Sequence, residues 1–349
     1  MSRGICEEDF GPMIKLSMKP TGWFQIGWSG EIPPGGVKPL RYFGMDLVAY
    51  RSASGVLNVM EAHCKHLGAH LAYGGKVKGD CIVCPYHGWE WNSEGANTLV
   101  PYQDQPTGAK LRKFHTIERH GIMFMWHDPA GGGPRGEGWD LPDLFRDIPQ
   151  AVADEADFYP CWPDAVVNKP GEPIHPQMVV ENSPDTSHFH FTHGTPIPPD
   201  LEWFDTSSGA WRSEMAFYSP KTKEKALSLF VLCPCISLSY TIFDGGSVKY
   251  RLILTATPVD DQTSDFRVNY FFPRDPTSPD VMPESLREFA RSTVELFEED
   301  ARMWRHQVFV QKPVYSKKDI AGYTAMRKWS ERFYETEPGP GPMRSVDRL

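Results

Sequence analysis

Residues 64–95 read CKHLGAHLAYGGKVKGDCIVCPYHGWEWNSEG. Cys64 and His66 are separated by one residue, and Cys84-Pro85-Tyr86-His87 follows after seventeen more. Zinc sites built from two cysteines and two histidines usually draw them as Cys–Cys and His–His pairs. Here each loop offers one thiolate and one imidazole. That division suits a 2Fe-2S cluster in which one iron takes Cys64 and Cys84 and the other takes His66 and His87. Imidazole in place of thiolate raises the reduction potential above the all-cysteine type. Gly68, Gly74, Gly75, Pro85 and Gly88 supply tight loops that can wrap such a group and leave a histidine edge near solvent.

Outward from this stretch, short β-rich runs alternate with Gly and Pro. Residues 47–50 (LVAY), 56–59 (VLNV) and 122–126 (IMFMW) are examples, and they predict an all-β module with its core at about 20–130. The run DPAGGGPRGEG at 128–138 predicts a boundary, with one domain at 1–135 and a second at 136–349. A chain of 349 residues is long enough for two domains, each with its own core.

The second stretch that carries chemistry is ENSPDTSHFHFTH, residues 181–193. Two histidines and a carboxylate hold ferrous iron on one face and leave the other for dioxygen and substrate. The stretch from Asn182 is predicted helical. Residues five apart on an ideal helix point about 140° away from each other, whereas residues three apart share a face. The pair His190/His193 therefore fits a regular helix, and His188/His193 requires a π-type distortion or a helix end. Further on, Leu286, Ala290, Thr293, Phe297, Asp300, Trp304 and Val308 fall on one helical stripe. Asp300 sits in the middle of that apolar face, where an ionised carboxylate is costly unless it is paired or binds metal. Glu295, Glu298 and Glu299 point away and read as a solvated face.

Residues 64–95 resemble the Rieske domain of ring-hydroxylating and sterol-acting non-heme iron oxygenases. Ala69 and Tyr86 stand where the respiratory type carries extra cysteines, which places the chain with the lower-potential group. The segments 181–193, FEEDARMWRHQVF (297–309) and MRKWSERFY (326–334) resemble the oxygenase component of 3-ketosteroid 9α-hydroxylases. This resemblance implies an α+β chain: the all-β Rieske domain, then a catalytic domain with a curved antiparallel sheet (helix-grip) and C-terminal helices. It also implies that His188, His193 and Asp300 hold a mononuclear Fe(II), leaving His190 to packing. Asp185 becomes the bridge for electrons between subunits of a homotrimer, with Asn182 as a neighbouring positioning residue.

The reaction so implied is hydroxylation of an unactivated C–H bond in a steroid-like 3-ketosteroid. Sterol desaturation, O- or N-demethylation and aromatic hydroxylation are the alternatives. Animal sterol 7-desaturases, which share the Rieske segment, carry a membrane anchor not seen here. The chain has no Gly-rich nucleotide fingerprint, so NADH acts only through a separate ferredoxin or flavin reductase. A Rieske ferredoxin, the electron-carrier alternative, ends near residue 130 and needs no second iron site.

The remaining patterns are coarser. Residues 200–273 predict an antiparallel sheet, followed by helices at 283–309 and 319–335. Phe230, Tyr240 and Phe243, with Leu254, Tyr270 and Phe271, alternate along the presumed strands as candidate lining of a hydrophobic pocket. With 36 Lys and Arg against 45 Asp and Glu, a net charge of -9 excludes nucleic acid as the main partner and is compatible with a basic redox partner. Cys6, Cys81, Cys161, Cys233 and Cys235 show no disulfide framework and read as reduced thiols of a cytoplasmic protein. Residues 1–12 lack the apolar core of a signal peptide. The uncharged run 226–243 alternates and contains Pro234, so it predicts paired strands and no membrane span.

Overall fold

The structure is a computed structural model that describes residues 16–245 and 248–334. Cys6 lies outside the described residues, and the other six cysteines are free thiols.

The N-terminal third is all β. Its strands are β1 (Gly22–Trp28), β2 (Val37–Tyr42), β3 (Met45–Arg51), β4 (Leu57–Glu61), β5 (Lys76–Lys78) and β6 (Cys81–Val83). They continue as β7 (Glu90–Trp91), β8 (Asn97–Leu99), β9 (Lys113–Phe114), β10 (Thr116–Arg119) and β11 (Ile122–His127). Three antiparallel sheets result, in the orders β1-β11-β10, β2-β3-β4-β9 and β5-β6-β7-β8. The two Cys/His loops leave β4 and β6 and close in the same way. The Gly68 amide donates to the Cys64 carbonyl at 2.9 Å, and the Gly88 amide to the Cys84 carbonyl at 3.1 Å. Both glycines have positive φ, +75° and +71°, a turn geometry that a side chain would strain.

The second half is built on one seven-stranded antiparallel sheet. It contains β12 (Val166–Glu172), β13 (Asp200–Asp205), β14 (Trp211–Tyr218), β15 (Lys225–Cys235), β16 (Leu238–Gly245), β17 (Val248–Pro258) and β18 (Ser264–Phe271). The order is β12-β18-β17-β16-β15-β14-β13. The run 226–243 forms the hairpin β15–β16, as its alternation predicts. β12 is an edge strand that the sequence hides, because Pro170 and Gly171 interrupt it and such residues are tolerated only at edges and bulges.

Helices α1 (Pro176–Val180) and α2 (His188–Phe191) are short, so the stretch from Asn182 is not the continuous helix predicted for it. Pro184 cannot donate a backbone hydrogen bond and interrupts the run. The long helices are α3 (Glu284–Trp304) and α4 (Ile320–Glu331). α3 stops five residues short of the predicted end at 309, and Val308, placed on its stripe, lies beyond the helix and is exposed.

The two faces of the large sheet have different neighbours. One packs Trp211, Phe230, Tyr240 and Ile253 against Trp23, Trp28, Phe124 and Trp126 of β1 and β11, a single apolar core joining the two halves. The other face looks toward α3, with Leu252, Phe266, Val268 and Tyr270 packed near Ala290, Ala301 and Trp304. Among the described residues no helix is long and apolar enough to cross a membrane.

Candidate metal centres

The first centre lies between the two matched loops. Cys64 and Cys84 are buried and His66 and His87 half-buried, with the two imidazole centroids 4.6 Å apart. His66 stacks flat on Trp89 at 4.6 Å, and the Trp89 indole donates to the Tyr102 hydroxyl at 2.7 Å. Burial raises the Cys64 thiol pKa, and Cys84 beside it adds to the rise. His66 Nδ1 is buried without a hydrogen-bond partner. An orphaned buried nitrogen costs about 1–3 kcal/mol unless something accepts its lone pair. Two thiols and two imidazoles converging on one place, one of them orphaned, fit a cluster with mixed sulfur and nitrogen ligation.

The second centre is built from two elements far apart in sequence. His188, His193 and Asp300 each offer one ligand atom, and these atoms lie within 4.8 Å of one another. Asp300 reaches it from the sheet-facing side of α3, where its side chain is 12% accessible. The helical-spacing difficulty is resolved by chain geometry. α2 ends at Phe191, so His193 is past the helix and turns back toward His188, with ring centroids 5.3 Å apart. His190 bonds the Thr195 carbonyl through Nδ1 at 2.5 Å and stands outside the trio.

Hydrogen bonds fix which nitrogen of each ring is available. His188 Nδ1 donates to the Asp185 carbonyl at 2.8 Å. His193 Nδ1 meets Glu299 Oε2 at 2.9 Å, while its Nε2 lies 3.1 Å from Asp300 Oδ1. In both rings Nδ1 is anchored and Nε2 is left for a metal, the usual way a carboxylate or carbonyl orients a ligating imidazole. Burial disfavours the His193 imidazolium, but Asp300 and then Glu299 outweigh it and hold its pKa above the ordinary value. Three converging donors, two of them oriented from behind, fit an open three-ligand site.

Sequence reasoning missed two participants. Helical spacing places Glu299 on the solvated face, yet it orients His193; spacing alone cannot see a partner that arrives from the turn after α2. Tyr323 on α4 donates to Asp185 Oδ2 at 2.9 Å, while Asp185 Oδ1 accepts from the amides of Ser187 (3.0 Å) and His188 (3.2 Å). Burial works against the Asp185 carboxylate, but His188 and Tyr323 hold its pKa below the usual range. Behind it, Arg327 of α4 pairs with buried Glu181 at 3.1 Å and fixes the same turn.

The trio faces a cavity between α3 and the sheet. Asn182, Leu229, Val231, Thr241, Phe243 and Tyr250 are among its walls, and Leu254 and Tyr270 also line it. Of the residues predicted for the pocket, Phe230, Tyr240 and Phe271 do not reach it. They alternate with inward neighbours along their strands and are buried in the core on the other face.

Comparison with known proteins gives the family and the fold. Residues 22–115 match the Rieske [2Fe-2S] domain and residues 125–334 the 3-ketosteroid 9alpha-hydroxylase C-terminal domain. A 3-ketosteroid-9-alpha-monooxygenase oxygenase component of Rhodococcus rhodochrous is 27% identical, covering 90% of this chain and 83% of its own. A cholesterol 7-desaturase of Drosophila melanogaster is also 27% identical, over 91% of this chain and 75% of its own. Pseudomonas putida CBB5 NdmB shares the fold at a TM-score of 0.66 and 19% identity, covering 88% of this chain and 89% of its own. With one family domain spanning more than half its length behind a Rieske domain, the chain belongs to the 3-ketosteroid 9α-hydroxylase family of Rieske oxygenases, which are O2-dependent oxidoreductases.

Proposed function

We propose that this protein is the terminal oxygenase of a multicomponent monooxygenase that hydroxylates an unactivated C–H bond of a 3-ketosteroid. The observation that carries the reading is the position of His188, His193 and Asp300 on the wall of an otherwise largely apolar cavity. The names of the bacterial relatives support the substrate class. Bound at this trio, ferrous iron supplies dioxygen activation, and a 2Fe-2S cluster at Cys64, His66, Cys84 and His87 supplies single electrons from an NADH-dependent reductase.

The chain's own residues have definite tasks in this reading. His188, His193 and Asp300 hold the metal, and Glu299 keeps His193 Nε2 turned inward. Asp185, tied to Tyr323 and to the turn that carries His188, bridges this site to the cluster of a neighbouring chain in a trimer. Asn182 lines the cavity beside them. Leu229, Val231, Leu252 and Phe243 exclude water and accept the apolar rings, while Ser239 and Thr241 provide hydroxyls for an oxygen function. The free space is about 130 Å³, below the roughly 300–1,000 Å³ of occupied ligand sites. Admitting a steroid therefore requires side chains such as Phe243, Tyr250 and Phe297 to part.

The 27% identity to a cholesterol 7-desaturase favours sterol desaturation as the second reading. The test is turnover with reductase, NADH and oxygen-18 gas on 3-ketosteroids, sterols and aromatic acids, followed by mass spectrometry. One labelled oxygen in a ketosteroid is the expected product. An unlabelled, dehydrogenated sterol selects the second reading. No steroid or sterol turnover with both metal centres loaded overturns the substrate class.

A further inference from the structure

A groove of about 480 Å³ runs beside the first Cys/His loop, with Lys65, Lys110, Arg112 and Lys113 facing Glu61 and Glu94. Lys65 is the residue between Cys64 and His66. Two of the cations are already answered, Lys65 by Glu61 at 2.6 Å and Lys113 by Glu94 at 2.6 Å. The other two are not. The Arg112 guanidinium lies over the Phe114 ring at 4.7 Å while the Arg112 amide donates to Glu61, and neither that guanidinium nor the Lys110 ammonium forms an ion pair with a carboxylate among the described residues. The groove carries unspent positive charge on a chain whose net charge is -9.

The asymmetry extends beyond the groove. Residues 16–127 contain eleven Lys and Arg against eight Asp and Glu, although acids outnumber bases 45 to 36 in the whole chain. The local field is visible in Glu94: the Lys113 ammonium bonded to it, with Lys110 and His115 behind, holds its carboxyl below the usual range. The overall acidity suggested a basic redox partner, but whole-chain charge averages over faces. Steering depends on the patch that meets the partner.

We propose that this groove is the docking surface for the acidic face of the one-electron donor, a ferredoxin-type protein or domain. The inference rests on the reading of Cys64, His66, Cys84 and His87 as cluster ligands. A donor seated against Lys110 and Arg112 abuts the loop that carries Cys64 and His66. One electron leaves the donor and reduces one ferric iron of the cluster, with no bond made or broken and no proton required.

The test uses the purified full chain and an acidic plant-type 2Fe-2S ferredoxin. Binding is measured by calorimetry, and cluster reduction by stopped-flow absorbance. Lys110→Glu and Arg112→Glu are expected to weaken binding and slow reduction by about tenfold each at low salt. At about 0.5 M salt the difference shrinks to roughly twofold or less, because the Debye length falls to a few ångströms. Reduction by dithionite and the visible spectrum stay as in the parent protein. Binding of the parent that is absent at low salt, or equal in parent and variants, overturns the proposal. So does a change in oligomeric mass without a change in ferredoxin binding, which makes the groove a contact between copies. If the protein lacks a Rieske spectrum but binding still follows charge, the cluster reading fails and the groove's role in electron delivery falls with it, leaving only a charged binding face.

Discussion

Replacing Glu299 by glutamine isolates the contact that orients His193. The Glu299 Oε2 to His193 Nδ1 distance is 2.9 Å, and Gln preserves shape while removing the charge. A hydrogen bond to a charged group contributes about 1.5–3 kcal/mol and a neutral one about 0.5–1.5. The difference is about 1 kcal/mol, and the Glu299 side chain is 47% exposed, so solvent screening holds it toward the low end. Since 1.36 kcal/mol is a factor of ten, Glu299→Gln is expected to weaken ferrous iron binding about three- to tenfold. Glu299→Ala removes the anchor outright and is expected to cost about 10- to 100-fold, the usual range for a partner behind a metal-bound imidazole. The assay is anaerobic competition against a chromophoric chelator, with the cluster absorption as internal control. Iron affinity unchanged in both variants refutes the orienting role of Glu299.

Three further outcomes follow from the same geometry. Asp300→Ala is expected to reduce iron from about three to about two atoms per chain while the Rieske spectrum persists; iron retained at the trio identifies another acid as the ligand. Asp185→Asn is expected to keep both centres yet lower turnover by about 10- to 100-fold or more, checked by metal content and single-turnover kinetics, and full activity refutes the bridging role. Burial disfavours the Glu118 carboxylate, but the paired bonds from Arg51 at 2.7 and 2.8 Å outweigh it and hold its pKa below 4.5. That stabilisation is complete above about pH 4.5 and lost as pH falls through the lower folded value. Glu118→Gln is expected to lower stability at pH 7 by about 1–3 kcal/mol and to flatten the acid limb of a urea-midpoint series, whereas an unchanged midpoint at pH 7 refutes it.

Much of this protein was legible before its structure, because its chemistry is written in short-range spacing. Cys64, His66, Cys84 and His87 sit in two loops whose identical closing turns need only a glycine four residues after each cysteine. The apolar stripe of α3 isolates Asp300 by period alone. Other features depend on contacts the sequence does not order. The end of α2 after Phe191, which lets His193 face His188, is closed by the Thr195 amide on the Phe189 carbonyl and by His190 on the Thr195 carbonyl. Glu299 and Tyr323 become visible only when α3 and α4 pack against the segment 181–193. Phe230 and Tyr240 were misplaced because alternation specifies two faces and not which one is the pocket; here a second apolar layer from β1 and β11 covers the face they occupy. The sequence by itself determined the cluster loops, the strand-rich first third and the isolation of Asp300 on an apolar helical stripe, while spacing left His188 and His190 open as partners of His193. Tertiary structure decided which sheet face is hollow, which ring nitrogens are free and where the basic face lies, since each depends on elements distant in the chain meeting across a packed interface.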